Sequence, residues 1–488
     1  MSHSTAPSID LTEIAKQSMR ERQLLVDFSS EAKREVDQLK ASPPPNFTRV
    51  KDLRHYLWFS LDNAESKDLD QVTFAETIDN QHFKIYIAIA DVDSLVKKNS
   101  AIDLCAQHNT TSVYTPTKIF PMLPEQLSTD LTSLNENADR LALIVEVDVL
   151  IDGSLSQYAV YPGYIRNHAK LAYHSISAWL DGIKPPPQPI KQNSDLESQV
   201  RLQDYIAKLL RQKRYDEGAL TLQTIEPRAI IRKDKILDIV TIIKNRGHDL
   251  IEDFMIAANR STASFLQEHQ VPSLRRVVRV PKRWDRIVAI AHELGEKLPP
   301  QPEAKALNAF LNRQRLLDPL RFPDLSLTVI KLLGNGEYVV EYPGKKAEGH
   351  FGLAVKDYTH STAPNRRYPD LITQRLIKSV FENRGSPYNN PELESLAQHC
   401  TQKEDDANKV ERKMRKSAAC LFLSPKLYQE FDALVTGAAP KGTWVRILQP
   451  PVEGKLVKGF EKVDVGDRIR VQLVHVDVEK GFIDFIRV

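Results

Sequence analysis

The spacing of apolar positions changes several times along the chain, and each change predicts an element. Residues 10–40 mix Leu with Glu, Lys, Arg and Gln and contain no Gly or Pro, which predicts a helical arm. The arm ends at SPPPN (42–46), which reads as a linker. From Phe47 the pattern becomes β-like, with runs KIYIAIADV (84–92), LALIVEVDVLI (141–151) and SQYAVYPGYI (156–165). KPPPQPI (184–190) reads as a surface loop by composition, and helical periodicity dominates from about 197 to 270 and from 369 to about 430. Together these predict one large mixed α+β domain over residues 47–430. In the tail, 431–488, about five short strands are joined by Gly-containing turns. That number and size predict a small OB-type barrel.

Composition alters this picture little. The 488 residues are 41% apolar and 27% charged, as in an ordinary soluble chain of two or more domains. Lys and Arg (67) nearly balance Asp and Glu (64), leaving +3, so any nucleic-acid surface must be local. The most apolar run, LALIVEVDVLI, is broken by Glu146 and Asp148 and is too short to span a membrane. MSHSTAPSID lacks an apolar signal core. Cys105, Cys400 and Cys420 lie far apart and fit buried thiols in a reducing cytoplasm.

Candidate chemistry enters at SLDNAESKDLDQ (60–71). Asp62, Asp68 and Asp70 fall within nine residues, and Asp68 and Asp70 share one side of an extended chain. Converging carboxylates repel unless a cation sits between them. Their hard oxygens suit magnesium or manganese, which can clamp a phosphodiester and activate water. Taken alone, a solvated acidic loop explains the segment as well.

The segments that follow change the balance. IAIADVDSLVKKNSAID (87–103) comes first, then TTSVYTPTKIFPMLPEQLSTDLTSLNENADRLAL (110–143). EDFMIAANRSTASFL (252–266) and HFGLAVKDYTHSTAPNRRYPDLITQRLI (350–377) complete the order. This succession resembles the catalytic (RNB) domain of ribonuclease II-family exoribonucleases over about residues 47–430, and the tail resembles their S1 RNA-binding domain. The resemblance implies an α+β catalytic domain, a mixed sheet with flanking helices around an RNA channel, followed by an all-β OB-type barrel. It also implies a monomer that degrades single-stranded RNA processively from the 3′ end, releasing 5′-monophosphates with Mg²⁺, or with Mn²⁺.

Carried over by position, Asp62, Asp68 and Asp70 occupy three of four acidic places in the family's metal site. The fourth falls on Gln71, which offers a neutral carbonyl oxygen instead of a charge. Arg366 matches the catalytic arginine, and Arg367 beside it reads as a positioning or substrate contact. Tyr114 matches a residue that stacks on the 3′-terminal base. Glu252 matches an acid near the terminal ribose, with helix solvation as the alternative. Glu411 matches a glutamate that approaches and orders the site. His350 and His360 read as structural. RRVVRVPKR (275–283) and KVERKMRK (409–416) are either phosphate tracks or solvated faces. On the barrel, Trp444 and Phe460 with Lys455, Lys458 and Arg446 are candidate RNA contacts.

About 46 residues precede the catalytic domain, fewer than one of the cold-shock-type barrels that usual relatives carry there. RNA entry is therefore expected to rest on the S1 barrel and the catalytic domain, with a more open channel mouth. Two functions of different class follow. One is an active, metal-dependent exoribonuclease. The other is an RNA-binding protein on the same fold, its chemistry impaired by Gln71.

Overall fold

The computed structural model describes residues 9–41, 50–232, 235–345, 349–439 and 442–488. The linker SPPPN lies outside them. The expected α+β architecture is present, with a closed five-stranded barrel at the C-terminus.

Six strands form the main sheet, in the order Lys51–Asp52, Leu155–Ala172, Trp58–Asp62, Gln71–Asp79, His82–Ala90, Asp139–Leu150. The 18-residue strand Leu155–Ala172 pairs in parallel with Trp58–Asp62 and antiparallel with Asp139–Leu150, so the sheet curls back on itself. Alternation along each strand gives it two apolar faces. One carries Trp58, Val72, Tyr86 and Ile144 and the stacked pair Tyr56–Phe74. The other, with Phe59, Leu61, Ala75, Ile85 and Ile87, packs under helices Ser194–Glu217 and Arg246–Glu268. Burial on both faces explains why LALIVEVDVLI is a nearly continuous apolar run.

A 34-residue helix, Asn390–Leu423, is the spine of the molecule. At 1.5 Å per residue it runs about 50 Å. One apolar core (Leu11, Ala15, Met19, Ile239, Met414, Phe485) joins the N-terminal arm, the paired strands Glu226–Arg232 and Lys235–Ile242, the spine and the barrel. The arm is two helices, Leu11–Glu21 and Ser30–Ala41, rather than one. Tertiary partners override helical propensity between them. Lys403 and His108 take the Gln23 carbonyl at 2.6 and 2.9 Å, and Asn109 exchanges two hydrogen bonds with the Leu25 backbone. KPPPQPI likewise departs from a plain loop, because a short helix, Gln188–Gln192, starts within it.

The barrel strands are Glu430–Ala439, Gly442–Ile447, Val452–Lys458, Arg468–Asp477 and Phe482–Arg487. Gly454 sits where a Cβ would fall 2.5 Å from the Phe485 ring, so the barrel closes only with glycine there. Arg446, a candidate RNA contact from its sequence, is instead buried and grips Asp324 of the helix Phe322–Leu333 at 2.5 and 3.1 Å. Phe460, Lys455 and Lys458 are exposed and Trp444 is half-buried.

This ion pair ties the barrel to the α+β domain beside the shared apolar core. Asp324→Leu alone strands a buried guanidinium and is expected to destabilise by about 3–5 kcal/mol. Replacing both partners together, Asp324→Leu with Arg446→Met, is expected to recover most of that loss. Denaturant unfolding of the three variants checks both numbers.

Candidate active site

Four chain segments meet at one edge of the main sheet. Strand Trp58–Asp62 ends there with Asp62, and its antiparallel neighbour begins there with Gln71, so the loop between them delivers Asp68 and Asp70. Leu155–Ala172 runs parallel to Trp58–Asp62 and ends at the same edge, where Tyr173 follows. The acidic loop is held by the SLN motif. Leu69 donates its backbone N–H to Ser133 Oγ at 2.9 Å, and Ser133 donates to the Lys67 carbonyl at 2.8 Å. Leu134 then donates to the Leu69 carbonyl.

The segment Ala363–Tyr368 closes over this edge. Asn365 donates its backbone N–H to Asp70 Oδ1 at 3.0 Å, and Arg366 Nε lies 3.4 Å from Asp70 Oδ2. The Arg366 carbonyl accepts from Ser112 N–H and the Thr111 hydroxyl, which ties this segment to the one bearing Tyr114. Asp370, in the first turn of helix Tyr368–Phe381, accepts from Ala363 N–H and Arg367 Nη2, both at 2.8 Å. Arg367 is thus committed to shaping the loop. The Arg366 side chain stays 45% exposed, free to meet a substrate.

Burial shapes the electrostatics of Asp70 and Asp68. Asp70 is 2% exposed, and its burial pushes the carboxyl up to about 7, against the pull of Arg366 and the Asn365 N–H. Asp68 is also raised, mainly by burial, with Asp62 adding to the effect. Both shifts come chiefly from burial of the charged form, and the carboxylate oxygens are hard donors. In donor type, though not in the spacing of the side chains, these carboxylates match what Mg²⁺ takes. Among the described residues no three His, Cys, Asp or Glu side chains are gathered tightly enough to hold an ion. Gln71 is half-buried and paired in the ladder with Ile89. By strand alternation it shares a face with Thr73 and Ala75.

Tyr114 is 39% exposed, and partial burial of its phenol raises its pKa; Arg366 opposes this, while Asp68, Asp70 and Glu411 add to it. Glu411, on the spine helix, accepts the Tyr114 backbone N–H at 2.9 Å, so it anchors the residue next to the acids. Glu252 pairs with Lys244 at 2.7 Å. It lies one turn beyond His248 on the same helix face, and His248 feels both Glu252 and Asp62.

Tyr173 was not singled out in the sequence. Its ring stacks on His248 at 4.0 Å, and its phenol, raised chiefly by burial, feels Asp62 and Arg366. Only its place directly after the long strand could have marked it, and LAYHSIS carries no distinctive spacing. His360 is a structural residue, half-buried and bonded to the Tyr338 hydroxyl at 2.8 Å. His350 caps a short turn through the Leu353 N–H. RRVVRVPKR is largely committed within the fold: Arg275 pairs with Glu341, Arg276 with Glu404 and Arg279 with Glu337. In 409–416, Lys409, Lys413 and Arg415 pair with Asp406, Glu21 and Glu411.

A model of the RNB domain matches residues 50–383. The chain belongs to the RNB-domain family. A model of the RNase II-type exonuclease C-terminal S1 domain matches residues 429–488. Ribonuclease R of Vibrio parahaemolyticus is 29% identical over 479 residues, which cover 89% of this chain and 55% of that protein. The RNB-family chain described here thus spans about half the length of that relative. RNase R of Mycoplasma genitalium, solved with ribose-methylated single-stranded RNA, aligns with a TM-score of 0.87 at 22% identity, over 98% of this chain and 78% of that one. Yeast Ssd1, described as a pseudonuclease, aligns with a TM-score of 0.73 at 15% identity, over 92% and 56% of the two chains. At such identities these likenesses concern the fold alone.

Ser133→Ala tests how the acidic loop is held. It leaves the buried Leu69 N–H without its acceptor, a loss of about 1–3 kcal/mol. Unfolding should show that loss, with faster hydrogen exchange at Leu69. Unchanged exchange there would mean that Ser133 does not hold the loop.

Proposed function

We propose that this chain is a cation-dependent exoribonuclease that hydrolyses single-stranded RNA from its 3′ end, in the cytoplasm and as a monomer. One observation carries the reading: a buried carboxylate, Asp70, lies beside a half-exposed arginine, Arg366, at a sheet edge where Tyr114 also stands exposed. Three buried free cysteines agree with a reducing compartment, and no helix among the described residues is long and apolar enough to cross a membrane.

Asp62, Asp68 and Asp70 would hold Mg²⁺, or Mn²⁺ in its place. Bound there, the ion would supply positive charge to the phosphodiester and acidify an attacking water. The remaining tasks fall to the chain's own groups. Arg366 forks hydrogen bonds onto the phosphate and follows charge as it develops on the oxygens. Tyr173, its phenol kept protonated by burial, donates a hydrogen bond into the same space. Tyr114 stacks on the terminal base, an interaction indifferent to sequence and so suited to processive shortening. Glu252 accepts from the terminal 2′-hydroxyl, which separates RNA from DNA. Glu411 and Arg367 are positioning residues, acting through Tyr114 and through the Ala363–Tyr368 loop. Cleavage of the P–O3′ bond releases a nucleoside 5′-monophosphate and leaves a new 3′-hydroxyl on the shortened strand.

Gln71 supports a second reading, an RNA-binding protein with impaired chemistry, because a neutral amide stands where the family has a carboxylate. A 5′-labelled single-stranded RNA decides between the two. The proposal expects a ladder shortening from the 3′ end with Mg²⁺, none in EDTA, and little action on the matching DNA. Arg366→Ala should lower kcat by about 10²–10³-fold. Gln71→Asp should raise turnover and lower the Mg²⁺ concentration required. A parent protein that binds the RNA but leaves it intact favours the second reading, and internal cuts overturn the first.

A further inference from the structure

The hairpin that carries Tyr114 has two unlike faces. Val113 and Tyr114 pair antiparallel with Phe120 and Ile119, Val113 opposite Phe120 and Tyr114 opposite Ile119. Residues directly opposite in such a ladder project to one side, with Cβ atoms about 5 Å apart. Val113 and Phe120 are 0% and 2% exposed, locked into the core shared by the arm and the spine helix. The arm reaches the turn as well, where the Thr12 hydroxyl donates to Thr117 Oγ1 at 3.2 Å. The other side shows only Tyr114 and Ile119, 39% and 50% exposed.

A lone exposed isoleucine is ordinary. Ile119 is not alone, because its cross-strand partner is the tyrosine whose phenol feels Asp68, Asp70 and Arg366. A nucleobase lying over the Tyr114 ring is wider than the ring, and it meets Ile119 next. The β-branched side chain is stiff at χ1, so little is lost in ordering it against a base. Behind both residues the arm and the spine form a fixed wall.

We infer that Ile119 contacts the nucleobase at the 3′ end of the substrate, forming with Tyr114 one apolar platform backed by the N-terminal arm. The inference rests on the proposed exoribonuclease site and adds a residue to it. The platform reads the flat face of a base and takes no part in the chemistry at phosphorus, so its signature lies in affinity for the base.

The test is binding of two short oligoadenylates to the full chain in EDTA, one ending in adenosine and one ending in an abasic nucleotide. Ile119→Ser should weaken the adenosine-ended RNA by about five-fold and leave the abasic one unchanged. Ile119→Phe should tighten the adenosine-ended RNA alone. Because Ile119 is half-exposed, both variants should melt with the parent. If Ile119→Ser shifts neither RNA, or shifts both equally, while Tyr114→Ser weakens only the adenosine-ended one, the inference is overturned and the site reading stands. If the parent itself binds the two RNAs alike, no base platform exists here, and the reading of Tyr114 fails together with the inference.

Discussion

The arrangement depends on the burial of Asp70. A carboxylate that is 2% exposed needs partners, and its partners come from a segment 295 residues further along the chain. The Asn365 N–H and the Arg366 guanidinium reach it only if helix Tyr368–Phe381 is seated and Asp370 has closed the loop before it. The same loop bonds to residues 111 and 112, which lead into Tyr114. One buried charge thus joins the acidic loop, the arginine loop and the Tyr114 hairpin into a unit. Burying it has a penalty, visible in its raised pKa, and an incoming cation would relieve that penalty.

Much of this was legible in the sequence because it rests on local patterns. The β runs, the five short strands of the tail and the order of the motifs gave the fold class, and the motifs also pointed to Asp62, Asp68, Asp70, Tyr114 and Arg366. The readings that changed concern partners remote in sequence. Residues 22–29 carry no helix-breaking residue, yet the arm bends there because Asn109 and Lys403 take its backbone. Arg446 looks like any basic residue on a strand until Asp324 is seen opposite it. Arg275, Arg276 and Arg279 could be a phosphate track or a solvated face by sequence, and each proves to be paired within the fold. Tyr173 was missed because a tyrosine after a long strand has no signature until His248 stacks on it.

The fold alone does not fix the function. RNB-type architecture is shared by an RNase R and a pseudonuclease among the solved structures. In this chain Gln71, the departure from the family's acidic pattern, lies in the regular ladder beside Asp70. A carboxylate there would add charge at the half-buried side of the edge. The fully buried acid, its arginine and the tyrosines are all in place without it.

The most direct measurement compares turnover and binding in Asp70→Asn, which keeps the shape of the side chain and removes its charge. Rate is read on 5′-labelled RNA with Mg²⁺, and affinity on the same RNA in EDTA. The account predicts that the rate falls by about 10²-fold or more while affinity stays within about two-fold of the parent. A rate within a few-fold of the parent would contradict it, since the buried carboxylate would then be structural and the chemistry would lie elsewhere.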